Sequence, residues 1–197
     1  MTEVSINKQV KLSEHFTLAE LCKSKHEGIY NIPSHVAIEN LKRVCAWLEE
    51  LRERYKRNYV LVQTTPTPPN SGGEASGRIL PLSSCVPSVA SGKPSGGSQR
   101  GSEEPIIINS GYRSPELNKK VGGSPTSNHL TGCAVDIRVA GIEQAMRYAV
   151  ILMDYADETR QDYDELLIER NRNGGYWLHF AVRPKDNRRK TSFILKT

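Results

Sequence analysis

The residues best suited to chemistry lie in Ser127-Asn-His129-Leu-Thr-Gly132-Cys-Ala134-Val-Asp136, where a histidine precedes an aspartate by seven positions. The alternation from Ala134 to Val139 predicts a strand. Val135, Ile137 and Val139 then point into a core, while Ala134, Asp136 and Arg138 face the other way. An aspartate in such a strand is costly unless it is ion-paired or bound to a metal. Gly132 allows a tight turn and the small Ala134 leaves room, so His129 and Asp136 can converge. A second histidine, His179 in Trp177-Leu-His179-Phe-Ala-Val182, also falls in mid-strand. Two imidazoles and one carboxylate make a three-ligand zinc set with its fourth position open to water, the arrangement of a hydrolytic centre. The residues alone also admit plainer readings. His179 could be a buried histidine satisfied by a hydrogen bond. Residues 129–136 could be a polar loop packed on a strand.

The elements that must position these residues can be read in turn. Thr17-Leu-Ala-Glu20 has the form of a capping box and opens a short helix bearing Leu18 and Leu21. Pro33-Ser34 starts a longer helix to about Lys56. Its Ala37, Leu41, Val44, Leu48, Leu51 and Tyr55 share one face. Strand-like runs, Tyr59–Gln63 and Pro105–Asn109, flank the stretch Thr65–Glu104. In that stretch 22 of 40 residues are Pro, Gly or Ser, too few of them apolar to offset the entropy of ordering. It reads as a disordered insertion (65–104) within a single domain spanning 1–197, since loop closure grows only logarithmically with length. Ile142 to about Tyr155 reads as a helix. Asp164–Glu169 and Tyr176–Val182 read as a hairpin closed by Asn171 to Gly175. The expected fold class is α+β: N-terminal helices packed on a small, mainly antiparallel sheet bearing a zinc site.

Composition narrows the setting. With 197 residues, 37% hydrophobic and 25% charged, the chain is long and apolar enough to fold around a core. No run of eighteen apolar residues exists, so no membrane-spanning helix is expected. The polar start MTEVSINKQVKLSEHF lacks the apolar stretch of a signal peptide. The net charge of +5 comes from scattered basic residues, with local density only at Arg52–Arg57 and Arg188-Arg189-Lys190. This reads as a solvated basic surface, with no nucleic acid partner expected. Cys22, Cys45, Cys85 and Cys133 form no C-x-x-C pair and read as reduced thiols.

The chain resembles the zinc D-Ala-D-Ala carboxypeptidase family, which cleaves bacterial peptidoglycan stem peptides and includes phage endolysins. The family pattern Ser-x-His-x-x-Gly-x-Ala-x-Asp, followed late by Trp-x-His, is met at Ser127, His129, Gly132, Ala134, Asp136, Trp177 and His179. Ser110-Gly-Tyr-Arg113-Ser-Pro-Glu-Leu-Asn118 and the opening Leu12-Ser-Glu-His-Phe16-Thr-Leu-Ala-Glu20-Leu resemble the single-domain branch. The resemblance implies one Zn2+ per chain, held by His129, Asp136 and His179. It also implies that Arg113 holds the substrate's carboxylate, with Ser127 as a polar support of the substrate site. Guanidinium suits a carboxylate because it binds in two-pronged fashion. Arg138 is a weaker competitor for that role.

Some members of the family carry an acid three residues before the last histidine. Here that position is Tyr176, which is no base at neutral pH. The five-residue loop predicts that Arg170 pairs with Tyr176 and Leu167 with His179, leaving Glu169 diagonal to His179 on the same face. A register shift of two would put Glu169 opposite His179, and a shift of one would turn it away. The single-domain branch also has a glutamate here. Glu169 is therefore the expected general base, with a purely structural glutamate as the alternative. The expected activity is hydrolysis of peptidoglycan stem peptides by a zinc peptidase of D-Ala-D-Ala carboxypeptidase or endopeptidase type. Two alternatives are an L-alanyl-D-glutamate endolysin of prophage origin and a catalytically silent zinc module that binds wall peptides. Without a signal, the protein is expected to be cytoplasmic at synthesis and released to the wall by a phage-type route.

Overall fold

The computed structural model describes residues 10–26, 28–60 and 105–195. The insertion 65–104, Cys85 and residues 61–63 lie outside these. Helix α1 (Leu18–Leu21) is capped by Thr17, whose side chain accepts from the Glu20 amide. The Glu20 carboxylate accepts in return from the Thr17 amide, so the box closes in both directions. Helix α2 (His35–Tyr55) starts at Ser34, whose side chain accepts from the Ala37 amide, and it buries the apolar face read from its spacing.

Five strands follow: β1 (Ile108–Ser110), β2 (Ala134–Arg138), β3 (Glu165–Arg170), β4 (Tyr176–Ala181) and β5 (Lys190–Leu195). Among the described residues they form one sheet in the order β1-β2-β4-β3-β5. Three pairings are antiparallel, and β5 joins β3 in parallel. The class is α+β with a mixed sheet. Helix α3 (Pro115–Lys120) follows β1, and α4 (Ile142–Thr159) links β2 to β3. One core cluster joins Leu41, Leu48 and Leu51 of α2 to Val135, Ile137, Leu178 and Phe180 of the strands and Leu152 of α4. Trp47 of α2 lies 5.4 Å from the Phe180 ring and 4.8 Å, edge-on, from Tyr155 of α4. No helix among the described residues is long and apolar enough to cross a membrane.

Helix α3 lies in a stretch read from the sequence as loop (110–131), and two further elements differ from the sequence reading. Tyr59 and Val60, read as the start of a strand, belong to a π-helical turn, Lys56–Val60, that prolongs α2. The cause is local packing at helical spacing. The Tyr59 ring lies 5.3 Å from Tyr55 on one side and 4.6 Å from the Arg147 guanidinium on the other. Strand β5 was not anticipated, because its short, half-polar run Lys190–Leu195 becomes a strand only by pairing with distant β3.

Two left-handed glycines separate conformation from contact. Gly122 (φ +71°) has open space where a Cβ would stand, whereas at Gly132 (φ +73°) a Cβ would lie 2.4 Å from the Ala37 carbonyl oxygen of α2. Gly122→Ala is expected to cost about 1–2 kcal/mol, the left-handed penalty alone. Gly132→Ala should cost distinctly more, about 3 kcal/mol, because α2 must also give way. Urea unfolding of the two variants checks the order, and equal losses would mean that the approach of the turn to α2 is loose.

Candidate metal centre

Asp136 sits in mid-β2 directly opposite His179 of β4, and Leu167 of β3 pairs with His179 from the other side. The hairpin register is the one that the five-residue loop predicts, with Arg170 opposite Tyr176. His129 arrives from a different direction, on the 3₁₀ turn Asn128–Thr131. The Ser127 hydroxyl caps this turn by accepting from the His129 amide at 3.3 Å. Asn40 of α2 donates to the Thr131 carbonyl at 2.9 Å and pins the turn against the helix.

The ligand atoms of His129, Asp136 and His179 lie within 4.8 Å of one another. Asp136 Oδ1 is 3.3 Å from His129 Nε2 and 3.0 Å from His179 Nδ1. His129 Nδ1 donates to the Gly111 carbonyl at 2.6 Å, because a carbonyl oxygen can only accept. That bond sets the tautomer and leaves Nε2 to serve as a ligand. The chemistry of the donor set therefore fits zinc. Burial alone would raise the Asp136 pKa, but the adjacent His129 and His179 outweigh it and hold the carboxyl far below its ordinary range. Burial pulls His179 down, yet Asp136 and Glu165 dominate and hold its imidazolium up to about 9.

The centre opens into a cavity of about 290 Å3 lined by Arg113, Ser127 and Glu169 as well as the three ligand residues. All six residues singled out in the sequence thus meet at one place. The contacts of Arg113 go beyond the expectation. Its Nη2 donates to Asp136 Oδ2 at 2.5 Å and its Nε to Ser110 Oγ at 2.9 Å. One carboxylate oxygen of Asp136 faces the imidazoles and the other is held by a guanidinium. Arg138 does not line the cavity. It is exposed and bonded to Asn109.

Two cavity-lining residues were passed over. Glu165 stands 3.6 Å from His179 Nε2 and is held by Asn128, Arg188 and Lys190. Contact with His179, outweighing burial, takes its carboxyl down to about 2, with help from the charges of Arg188 and Lys190. Arg188 is itself clamped to the buried Asp164 through Nε and Nη2 at 2.8 and 2.7 Å. The spacing Glu165-x-Leu167-x-Glu169 could have placed Glu165 on the ligand face. The cluster Arg188-Arg189-Lys190 was visible but offered no sign of where it would fold.

The raised pKa of His179 makes a prediction about metal binding. A ligand imidazole must be neutral, and without metal His179 keeps its proton up to about pH 9. Metal uptake at neutral pH should therefore expel about one proton from this site. Affinity should weaken roughly tenfold for each pH unit below that value. Calorimetric titration with zinc in buffers of differing ionisation enthalpy measures the proton count. No buffer dependence between pH 6 and 8 would show that His179 is already neutral.

Residues 98–163 match the model of the family described as Peptidase M15. The match takes in Arg113, Ser127, His129 and Asp136, while Glu169 and His179 follow it in the chain. No curated protein matches the sequence. The two ligands inside the matched segment and the third, brought to them by β4, point the same way: this part of the chain is similar to the Peptidase M15 family, and the full ligand set is one that could hold a metal ion.

Proposed function

We propose that the protein hydrolyses a peptide bond in peptidoglycan stem peptides, as a zinc peptidase of D-Ala-D-Ala carboxypeptidase or endopeptidase type. The observation that carries this reading is the meeting of a three-ligand cluster, a guanidinium and a buried glutamate in one open cavity. His129, Asp136 and His179 would hold one Zn2+. When bound, the metal supplies a Lewis acid that polarises the peptide carbonyl and makes water more acidic.

The remaining work falls to the chain's own side chains. Arg113 uses Nε and Nη2 within the site, and its Nη1 makes no hydrogen bond among the described residues. That edge is available to a substrate carboxylate. Glu169 accepts the proton of the attacking water on its carboxylate and returns it to the departing amine nitrogen. Glu165 is the rival base on the same face. It is already an acceptor for cations on three sides, and its carboxyl, held at about 2, is a weak proton acceptor. Glu169 is 6% exposed and lines the same cavity, near enough to His179 to interact with its charge. Ser127 acts by holding the His129 turn at the cavity rim.

The deciding experiment is mass spectrometry of purified muropeptides after incubation with zinc-loaded protein. Loss of a single residue, or of one cross-link, is the expected result. Intact muropeptides that nevertheless bind would favour a silent wall-peptide module. Glu169→Gln should lower kcat by about a hundredfold or more while still binding one zinc per chain. Full activity in that variant would transfer the base role elsewhere. Arg113→Lys should lower kcat/KM on a peptide with a free terminal carboxylate by about tenfold to a hundredfold. The same substitution should matter much less on the terminally amidated peptide. An equal loss on both would mean that Arg113 serves only Asp136.

A further inference from the structure

Arg113 lines two cavities. One holds the ligand cluster. The other, of about 480 Å3, is lined by Lys23, Lys25, His26, Asn109, Ser110 and Arg113, with an apolar floor from α3. Their charge differs sharply. Asp136, Glu165 and Glu169 line the first, whereas among the described residues no carboxylate lines the second. A further hollow that shares Lys25 and His26 carries Lys119 and Lys120, with Glu116 as its one carboxylate among the described residues.

The segment that carries these lysines is held in place. Asn31 is buried and donates to the carbonyls of Cys22 and Tyr112 at 2.8 and 2.9 Å. Its side-chain oxygen accepts from the Ser114 amide at 2.6 Å. One asparagine therefore staples both ends of the lysine loop to the turn that bears Arg113. The cations themselves are not used for folding. Arg183, Arg188, Arg189 and Lys190 are all ion-paired with carboxylates. Neither Lys23 nor Lys25 has an ion pair among the described residues, although the Lys23 charge acts on Glu20. A cavity whose lysines have no ion pair among the described residues attracts an anion.

We infer that the cavity of Lys23, Lys25 and His26 is a substrate subsite for a carboxylate-bearing residue next to the hydrolysed bond, reached across Arg113. This rests on the peptidase reading, because it takes the scissile bond to lie at the ligand cluster. A substrate chain that passes Arg113 enters this cavity, so the leaving side of the substrate need not end there. A side-chain carboxylate beside the cleaved bond then meets two ammonium groups, while Arg113 holds the nearer carboxylate or carbonyl.

The test compares two synthetic stem peptides that differ only in one glutamyl carboxylate, free or converted to the carboxamide. Binding to the full chain loaded with zinc is measured by calorimetry at low salt, and hydrolysis is followed in the same samples by mass spectrometry. Wild type should bind the free acid roughly fivefold more tightly, a margin that salt erodes. Lys23→Ala/Lys25→Ala should bind both peptides alike, and Lys25→Glu should prefer the carboxamide. Equal binding of both peptides by wild type would overturn the proposal. So would an equal loss on both peptides in the variants. Tighter binding of inorganic polyphosphate, lost in the same variants, would assign the cavity to a phosphate polymer and also overturn it. Discrimination in binding without hydrolysis would leave the subsite standing and remove the peptidase reading, whereas hydrolysis without discrimination would do the reverse.

Discussion

Asp136 holds a negative charge in the middle of a five-stranded sheet, on a strand whose neighbours Val135 and Ile137 are fully buried. A lone carboxylate there would cost several kcal/mol in lost hydration. The surrounding structure compensates on both of its oxygens, with two imidazoles near Oδ1 and the Arg113 guanidinium on Oδ2. Each partner comes from a different element, so placing one carboxylate constrains β2, β4, the His129 turn and the segment after β1. Removing any single partner leaves the others facing an imbalance of charge, which is why this cluster behaves as a unit.

Backbone approach meets that constraint as much as side-chain contact does. Gly111 and Gly132 both lie where a Cβ would collide with a backbone carbonyl, of Leu21 in one case and Ala37 in the other. Gly111 also supplies the carbonyl that orients His129. The helices α1 and α2 thus act on the centre through glycine-sized gaps. Their packing sets how far His129 can stand from Asp136, although neither helix contributes a ligand.

The far side of the centre is organised by a second buried carboxylate. Asp164 is fully buried, and burial alone would raise its pKa. The Arg188 guanidinium, with Asn128 and Arg183, brings it instead to about 2. It ties β3 to the His129 turn through Asn128 and to the segment before β5 through Arg188. Two neighbouring carboxylates at the start of β3 therefore have different duties, Asp164 just before the strand as an anchor and Glu165 as a charged wall of the cavity. The basic run at Arg188 to Lys190 supplies the balancing charge on this side. Lys23 and Lys25, on the Arg113 side, have no ion pair among the described residues.

The periods along the chain determined much without any tertiary information. A spacing of four and three placed one face of α2 in the core, and alternation put Asp136 opposite the apolar face of β2. The five-residue loop set the register that puts Leu167 opposite His179, because a hairpin's pairing follows from its turn length, whereas the pairing of His179 with Asp136 joins strands far apart in the chain. The types and order of His129, Asp136 and His179 suggested a metal site, and the family resemblance implied zinc. Other features depended on partners far away in the chain. Tyr59 became helical because Tyr55 and Arg147 enclose it. Arg138 turned to Asn109, while Arg113 bonded a ligand carboxylate. Glu165 and Glu169 share a face and a residue type, so local spacing cannot rank them as bases. Arg188 and Lys190 reach Glu165 only through the fold, and a carboxyl's proton affinity depends on the charges that the fold brings beside it.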